Sequence, residues 1–398
     1  MRVASRLAPA IPLVAGLLLM TGGAAVAAPV TPAFTITADR ASAIPAGHKW
    51  SFNDYFPRAA TIAQGSTVQF DNQGFHTTTL LPPSWSVAAD NDVNGIAAAD
   101  IDDSALNPNG TTHVEFRVPG LLPSPADGCG TADKPCTFDG SSIVSMGAPL
   151  AGPPAPFLVT VTAPPGTYAF HCRIHPSMKG ALTVVAAGSP GTTTAASAEA
   201  AATAQAADDV TAGLAAEAAV SKAAVKVNKN GTRTWTLTAG TSDPNGYVAV
   251  LDMLPRSVSI KPGDTVLWRA LDVNEPHTIT FPKDTNTDIV PMCEGPGGKD
   301  TPAVPMHIPP QGPLDFSCGN GPADEIEFGG GNGVTKVTTT KTVSDSGIVA
   351  AGVYMAGFDV PATGSRPTWT VTFPGAKKGT YTYVCQIHDG MEGKIVVK

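Results

Sequence analysis

Short alternations of apolar and polar residues recur along the chain, each bounded by glycine or proline. Thr67-Val68-Gln69-Phe70 and Thr265-Val266-Leu267-Trp268 follow turns at Gln64-Gly65 and Pro262-Gly263. Residues 157–161 (FLVTV) and 369–373 (WTVTF) are β-branched and alternating, and each runs into a Pro/Gly turn and then Thr-Tyr. Residues 181–185 and 394–397 form the last apolar run of their stretch. A period of two with this punctuation predicts short strands. Gly (41) and Pro (37) together make about a fifth of the chain, which favours turns over long helices. The expected fold class is all-β, with a β-sandwich in each half.

The halves are announced by internal repetition. FPRAATIAQGSTVQF from Phe56 parallels LPRSVSIKPGDTVLW from Leu254, SSIV at 141–144 parallels SGIV at 346–349, and GTYAFHCRIHPSMKGALTV from Gly166 aligns without a gap with GTYTYVCQIHDGMEGKIVV from Gly379. A spacing of about 200 residues points to duplication of a domain, since solenoid repeats run to roughly 20–50. Between the copies, residues 186–223 are dominated by Ala, Thr, Ser and Gly and lack large apolar residues, so they read as a linker. Two forms are open for it: a flexible tether, or a segment partly helical around 208–220. The expected organisation is a signal peptide over 1–27, domain 1 over 28–185, the linker, and domain 2 over 224–398.

The signal peptide is read from Arg2 and Arg6, the apolar core IPLVAGLLLM over 11–20, and the small residues Ala25-Val26-Ala27. That core is too short for a bilayer, which takes about 20 residues. The expected location is therefore secreted or cell-surface, or periplasmic where an outer membrane exists, with no membrane span. Lys+Arg number 25 against 33 Asp+Glu, giving a net charge of −8. Without a basic cluster to neutralise phosphates, the chain is a poor nucleic-acid binder.

Six cysteines in an exported chain point to disulfides. The economical pairing joins Cys129 to Cys136 and Cys293 to Cys318. Cys172 and Cys385 remain, one per copy, in an identical frame: Cys172-x-x-His175-x-x-Met178 and Cys385-x-x-His388-x-x-Met391. A thiolate, an imidazole and a thioether on one loop suit copper, which takes two His and one Cys in a plane with a weak axial Met. Each copy offers one candidate second histidine just after its repeated Phe/Trp strand, His76 in GFHTTT and His277 in EPHTIT.

The run GTYAFHCRIHPSMKG resembles the copper loop of cupredoxins, and its spacing is most similar to that of the amicyanins. The resemblance implies two Greek-key sandwiches in tandem, each with a type 1 (blue) copper. It implies His76, Cys172, His175 and Met178 as the ligands of one site and His277, Cys385, His388 and Met391 as those of the other. It also implies one-electron transfer with a redox partner that the sequence does not name, and no catalytic residues. It leaves out the long inserts at 86–156 and 283–366. Thr77 and Thr278 follow the first His where a plastocyanin pattern often has Asn, so the hydrogen bond supporting the ligand loop is not read from sequence.

Other readings stay open at this stage. His171, next to Cys172, would serve a second, type 2 copper in an oxidase or reductase, but the chain has eight His and no His-x-His pair, and His171 is expected to be a half-exposed strand histidine. A copper-sequestering or surface-attachment module is a third class. Asp90-Asn91-Asp92-Val93-Asn94-Gly95 resembles the start of a calcium loop, but Ile101 stands where a Glu ligand would, and the run is expected to be a solvated acidic loop. FGGGNGV over 328–334 lacks the Lys-Ser/Thr of a phosphate loop and reads as a turn.

Overall fold

The structure is a computed structural model. It describes residues 29–94, 128–149, 155–285, 332–351 and 368–398, with isolated positions and short backbone segments in the two inserts. Residues 1–28, which hold the expected signal peptide, residues 95–101 of the calcium-like stretch and residues 329–331 of the expected turn lie outside the described residues. So do the side chains of Cys293 and Cys318.

Two Greek-key β-sandwiches follow one another. In the first, one sheet has the order Tyr55–Phe56, Phe34–Ala38, Thr67–Asn72, Phe157–Val161 and Cys136–Phe138, and the other Ala59–Ala63, Lys179–Val185, Gly166–His171, Thr79–Leu80 and Val144–Ser145. The second repeats the plan. Its sheets run Val248–Leu254, Arg233–Ser242, Thr265–Leu271 and Thr368–Thr372, and Ser257–Ile260, Glu392–Val397, Gly379–Val384, Thr280–Phe281 and Ser344–Asp345. The unusual parallel pairs are reproduced as well. Phe34–Ala38 lies parallel to Thr67–Asn72 as Arg233–Ser242 does to Thr265–Leu271. Ala59–Ala63 lies parallel to Lys179–Val185 as Ser257–Ile260 does to Glu392–Val397.

The period-two pattern explains the layers. Val68 and Phe70 turn inward onto Phe157, Val159, Tyr168 and Phe170, and Val266 and Trp268 onto Val371, Phe373, Tyr381 and Tyr383. Trp268 is fully buried, with Tyr383 edge-on at 5.1 Å between ring centroids. Each such aromatic removes roughly 150–250 Å² from water, the main driving force of these cores.

One of the three repeated stretches does not correspond in space. Val144 pairs with Leu80, and the residue paired with the equivalent Phe281 is Ser344, whereas Val349 of SGIV bridges His277. A four-residue match between loops of different length carries no register. Cys129 and Cys136 form the expected disulfide.

The linker is one continuous helix, Ala195–Val220, longer than the 208–220 stretch that its composition suggested, and it is not a flexible tether. Thr194 caps it through Ser197, both members of a capping box. Its buried face is Ala198, Ala202, Ala206, Asp209 and Gly213, spaced by four or three residues. Small side chains let the helix sit close on Trp50, Phe52, Val248 and Val250. Polar side chains then fix it laterally. Gln205 donates to the Tyr55 carbonyl at 2.7 Å, Asp209 pairs with Arg58 at 2.6 Å, and Glu217 accepts from the indole N–H of Trp50 at 3.0 Å.

The halves are joined a second way. The Trp50–Phe52 strand belongs to the first half in sequence but pairs antiparallel with Val248–Leu254 and so extends a sheet of the second half. In the inserts, Val114–Arg117 pairs with Glu325–Phe328.

Candidate metal centres

Each sandwich brings its ligand candidates together at one end. Cys172 stands immediately after the Gly166–His171 strand, and the chain returns at Lys179 as the partner strand. The loop between them is closed by two backbone bonds, Cys172 N–H to the Met178 carbonyl (2.9 Å) and Met178 N–H to the His175 carbonyl (3.0 Å). The second copy repeats both, Cys385 to Met391 at 2.8 Å and Met391 to His388 at 3.2 Å. His76 lies in the connection between Thr67–Asn72 and Thr79–Leu80, not on a strand, and His277 sits on an isolated bridge to Val349.

The donor atoms converge. Nδ1 of His76 and Nδ1 of His175 are 2.9 Å apart, and the Cys172 sulfur is 3.5 Å from the latter. In the second site the Cys385 sulfur is 3.6 Å from His388 Nδ1. In both trios every donor lies within 4.8 Å of the others. One ion about 2.0–2.3 Å from each of three N and S donors would set neighbouring donors roughly 3–4 Å apart. The four histidines and both cysteines are buried or nearly so. Met178 and Met391 are fully buried within the apolar clusters that contain Cys172 and Cys385.

The threonines supply the missing support. Thr77 Oγ1 accepts from Arg173 N–H at 2.8 Å, and Thr278 Oγ1 accepts from Gln386 N–H at 2.9 Å, so each ties the first-His segment to the ligand loop. The backbone N–H groups of Thr77 and Thr278 point at the sulfurs at 3.3 and 3.4 Å. Such donors favour a thiolate. Burial opposes ionisation of Cys172, yet His175 and His76 outweigh it and hold the thiol well below its usual range. Burial likewise opposes Cys385, and His277 and His388 prevail.

The chemistry of the donor set fits a metal. His277 is completely buried, and among the described residues neither of its ring nitrogens has a hydrogen-bond partner. A buried imidazole without partners is costly in a folded protein unless something else, such as a metal ion, satisfies it. A soft thiolate with two imidazoles and a neighbouring thioether is the donor set copper prefers.

The two sites differ in what stands behind the first histidine. Asp39 and Gly240 occupy the same register position, one past Ala38 and Ala239, and both have left-handed backbone (φ 63° and 68°). Asp39 places Oδ2 at 3.9 Å from His76 Nε2. A Cβ on Gly240 would lie 1.8 Å from His277 Nε2, so glycine there is what admits the ring. Burial lowers the pKa of both histidines, but Asp39 and Cys172 raise His76 overall while His277 stays lowered.

Two sequence readings are corrected here. Asp90, expected in a solvated acidic loop, lies on a helix, Val87–Asn94, and is buried against Arg173, which donates to it at 2.7 and 2.9 Å. His171, expected as a half-exposed strand histidine, is not exposed. It is buried, its Nε2 is 2.8 Å from Asp90, and it belongs to neither donor cluster among the described residues.

Sequence reasoning missed Glu275. Its carboxylate lies between the halves, 3.0 Å from His175 Nε2 and 3.4 Å from His388 Nε2. The available signal was a length difference, since the segment from Trp268 to His277 is three residues longer than that from Phe70 to His76.

No protein-family model and no curated protein matches the chain. Solved structures similar to it include auracyanin from the photosynthetic bacterium Roseiflexus castenholzii, at 23% identity, covering 39% of this chain and 98% of that one with a TM-score of 0.22. Amicyanin from Paracoccus versutus is 15% identical and covers 41% and 79%, at 0.18. Plastocyanin from Dryopteris crassirhizoma is 18% identical and covers 38% and 99%, at 0.16. Among the described residues no helix is long and apolar enough to cross a membrane.

Proposed function

We propose that the chain is a secreted electron-transfer protein with two type 1 copper sites, one in each of two cupredoxin-like domains (28–185 and 224–398). The ligands are His76, Cys172, His175 and Met178 in the first and His277, Cys385, His388 and Met391 in the second. The observation that carries this reading is the duplicated His-Cys-His cluster, with a buried methionine on the same loop, at the same end of both sandwiches.

Copper bound there supplies a one-electron couple between Cu(I) and Cu(II). The protein's part is to keep the donors still. Closed loop hydrogen bonds, the two threonine ties and burial in packed cores fix the ligand side chains before any metal arrives. Burial also keeps water from the thiolate. A site that barely reorganises when its charge changes is suited to carrying electrons.

The cysteines test the assignment. Copper-loaded protein should show the strong visible thiolate-to-copper absorption of both sites. Cys172→Ser should remove one contribution and leave the other, and Cys385→Ser should do the reverse. Full blue absorption in the double variant would refute the ligand assignment.

A further inference from the structure

The loop before His277 reaches across the interface into the ligand loop of the other half. Ser177 N–H donates to Asn274 Oδ1 at 3.0 Å, and Asn274 Nδ2 donates to the Gly246 carbonyl. Asp272 holds the loop from within, accepting the backbone N–H groups of Asn274 (2.9 Å) and Glu275 (3.2 Å). This brings the Glu275 side chain, nine-tenths buried, between the two metal centres.

Glu275 there meets three nitrogens. Oε1 accepts from Asn53 Nδ2–H at 3.1 Å and forms an ion-pair contact with His175 Nε2 at 3.0 Å, both from the first half, and Oε2 lies 3.4 Å from His388 Nε2. The Nδ1 atoms of both rings point the other way, toward Cys172 and Cys385. A carboxylate on the far nitrogen of a ligand histidine fixes its tautomer and orientation and makes it a stronger donor. Here one carboxylate does so for a ligand of each site.

Resting on the copper reading, we propose that Glu275 is a positioning residue shared by both centres, which sets the orientation and donor strength of one ligand histidine in each. Its negative charge favours the more positive, oxidised state on both sides. The contacts from His175 through Glu275 to His388 span the interface between the two sites. The helix and the Trp50–Phe52 strand clamp the halves so that this contact is kept.

The test uses full-length copper-loaded protein in which one site is silenced, so that each potential is read separately by spectroelectrochemistry. In Cys385→Ser protein the remaining blue site has ligands only from the first half, and Glu275 comes from the second. Glu275→Gln should raise that site's reduction potential while leaving its blue band and copper content in place. It should also raise the potential of the remaining site in Cys172→Ser protein. Glu275→Asp keeps the charge and should shift both less than Glu275→Gln, and it serves where the Gln variant folds poorly. A potential in the Cys385→Ser background that stays put with both substitutions would overturn the proposal. Absence of any blue band in the unmodified protein would instead refute the ligand assignment, before Glu275 is altered.

Discussion

At the scale of single residues, the copies carry matching ligand candidates within unequal surroundings. Gly240 is the sharpest case. Alanine there meets both a left-handed backbone, at a cost of roughly 1–2 kcal/mol, and a Cβ 1.8 Å from the His277 ring. Gly240→Ala should displace His277, abolish the blue absorption of the second site and spare the first. Retention of both bands would show that His277 is not held as described. In the first half, Asp90 is buried beside the ligand loop. Arg173 and His171 overcome the burial that opposes its charge and hold its carboxyl below the usual carboxylate range. A depressed carboxyl stabilises the fold fully above its unfolded pKa of about 3.9 and loses that contribution as pH falls through the folded value. Asp90→Asn leaves the Arg173 guanidinium buried without its partner and should cost about 3 kcal/mol at pH 7. Urea unfolding of the copper-free chain checks this: the difference from wild type should shrink below about pH 4. A penalty that is the same at pH 7 and pH 3 would contradict the pairing.

At the scale of elements, the Ala195–Val220 helix decides how the halves meet. Its alanines bury almost nothing individually, and their value is close approach. A Cβ on Gly213 would already lie 2.8 Å from Val248 Cγ1 and 3.0 Å from the Trp50 ring. Gly213→Leu should therefore lift the helix and destabilise the protein by roughly 1–3 kcal/mol, read as a lower thermal midpoint. Limited proteolysis gives an independent check. A docked helix should resist cleavage until global unfolding, whereas rapid cutting within 195–220 under native conditions would mean it is undocked. Strand positions were legible from alternation alone: Thr67–Asn72, Phe157–Val161 and Lys179–Val185 fall where the sequence places them, to within two residues. The helix was half legible. Its length was hidden because an alanine face shows no contrast with an alanine-rich exterior, and its partners lie far away in the chain.

At the scale of the molecule, the ligand candidates were readable because each set is compressed into seven residues plus one histidine in a repeated frame. The shared carboxylate was not, because its role depends on two histidines from different halves meeting across an interface that no local pattern encodes. The roles of Thr77 and Thr278 were hidden for a related reason, since a hydroxyl accepting one backbone N–H leaves no spacing signature. The central claim is that two separate type 1 centres form in one chain. Copper counted per chain alongside the electron paramagnetic resonance spectrum tests it most directly. The account predicts about two coppers, both with the narrow hyperfine splitting of a thiolate-bound type 1 site. One copper, a type 2 spectrum, or a colourless protein after cupric loading would contradict it.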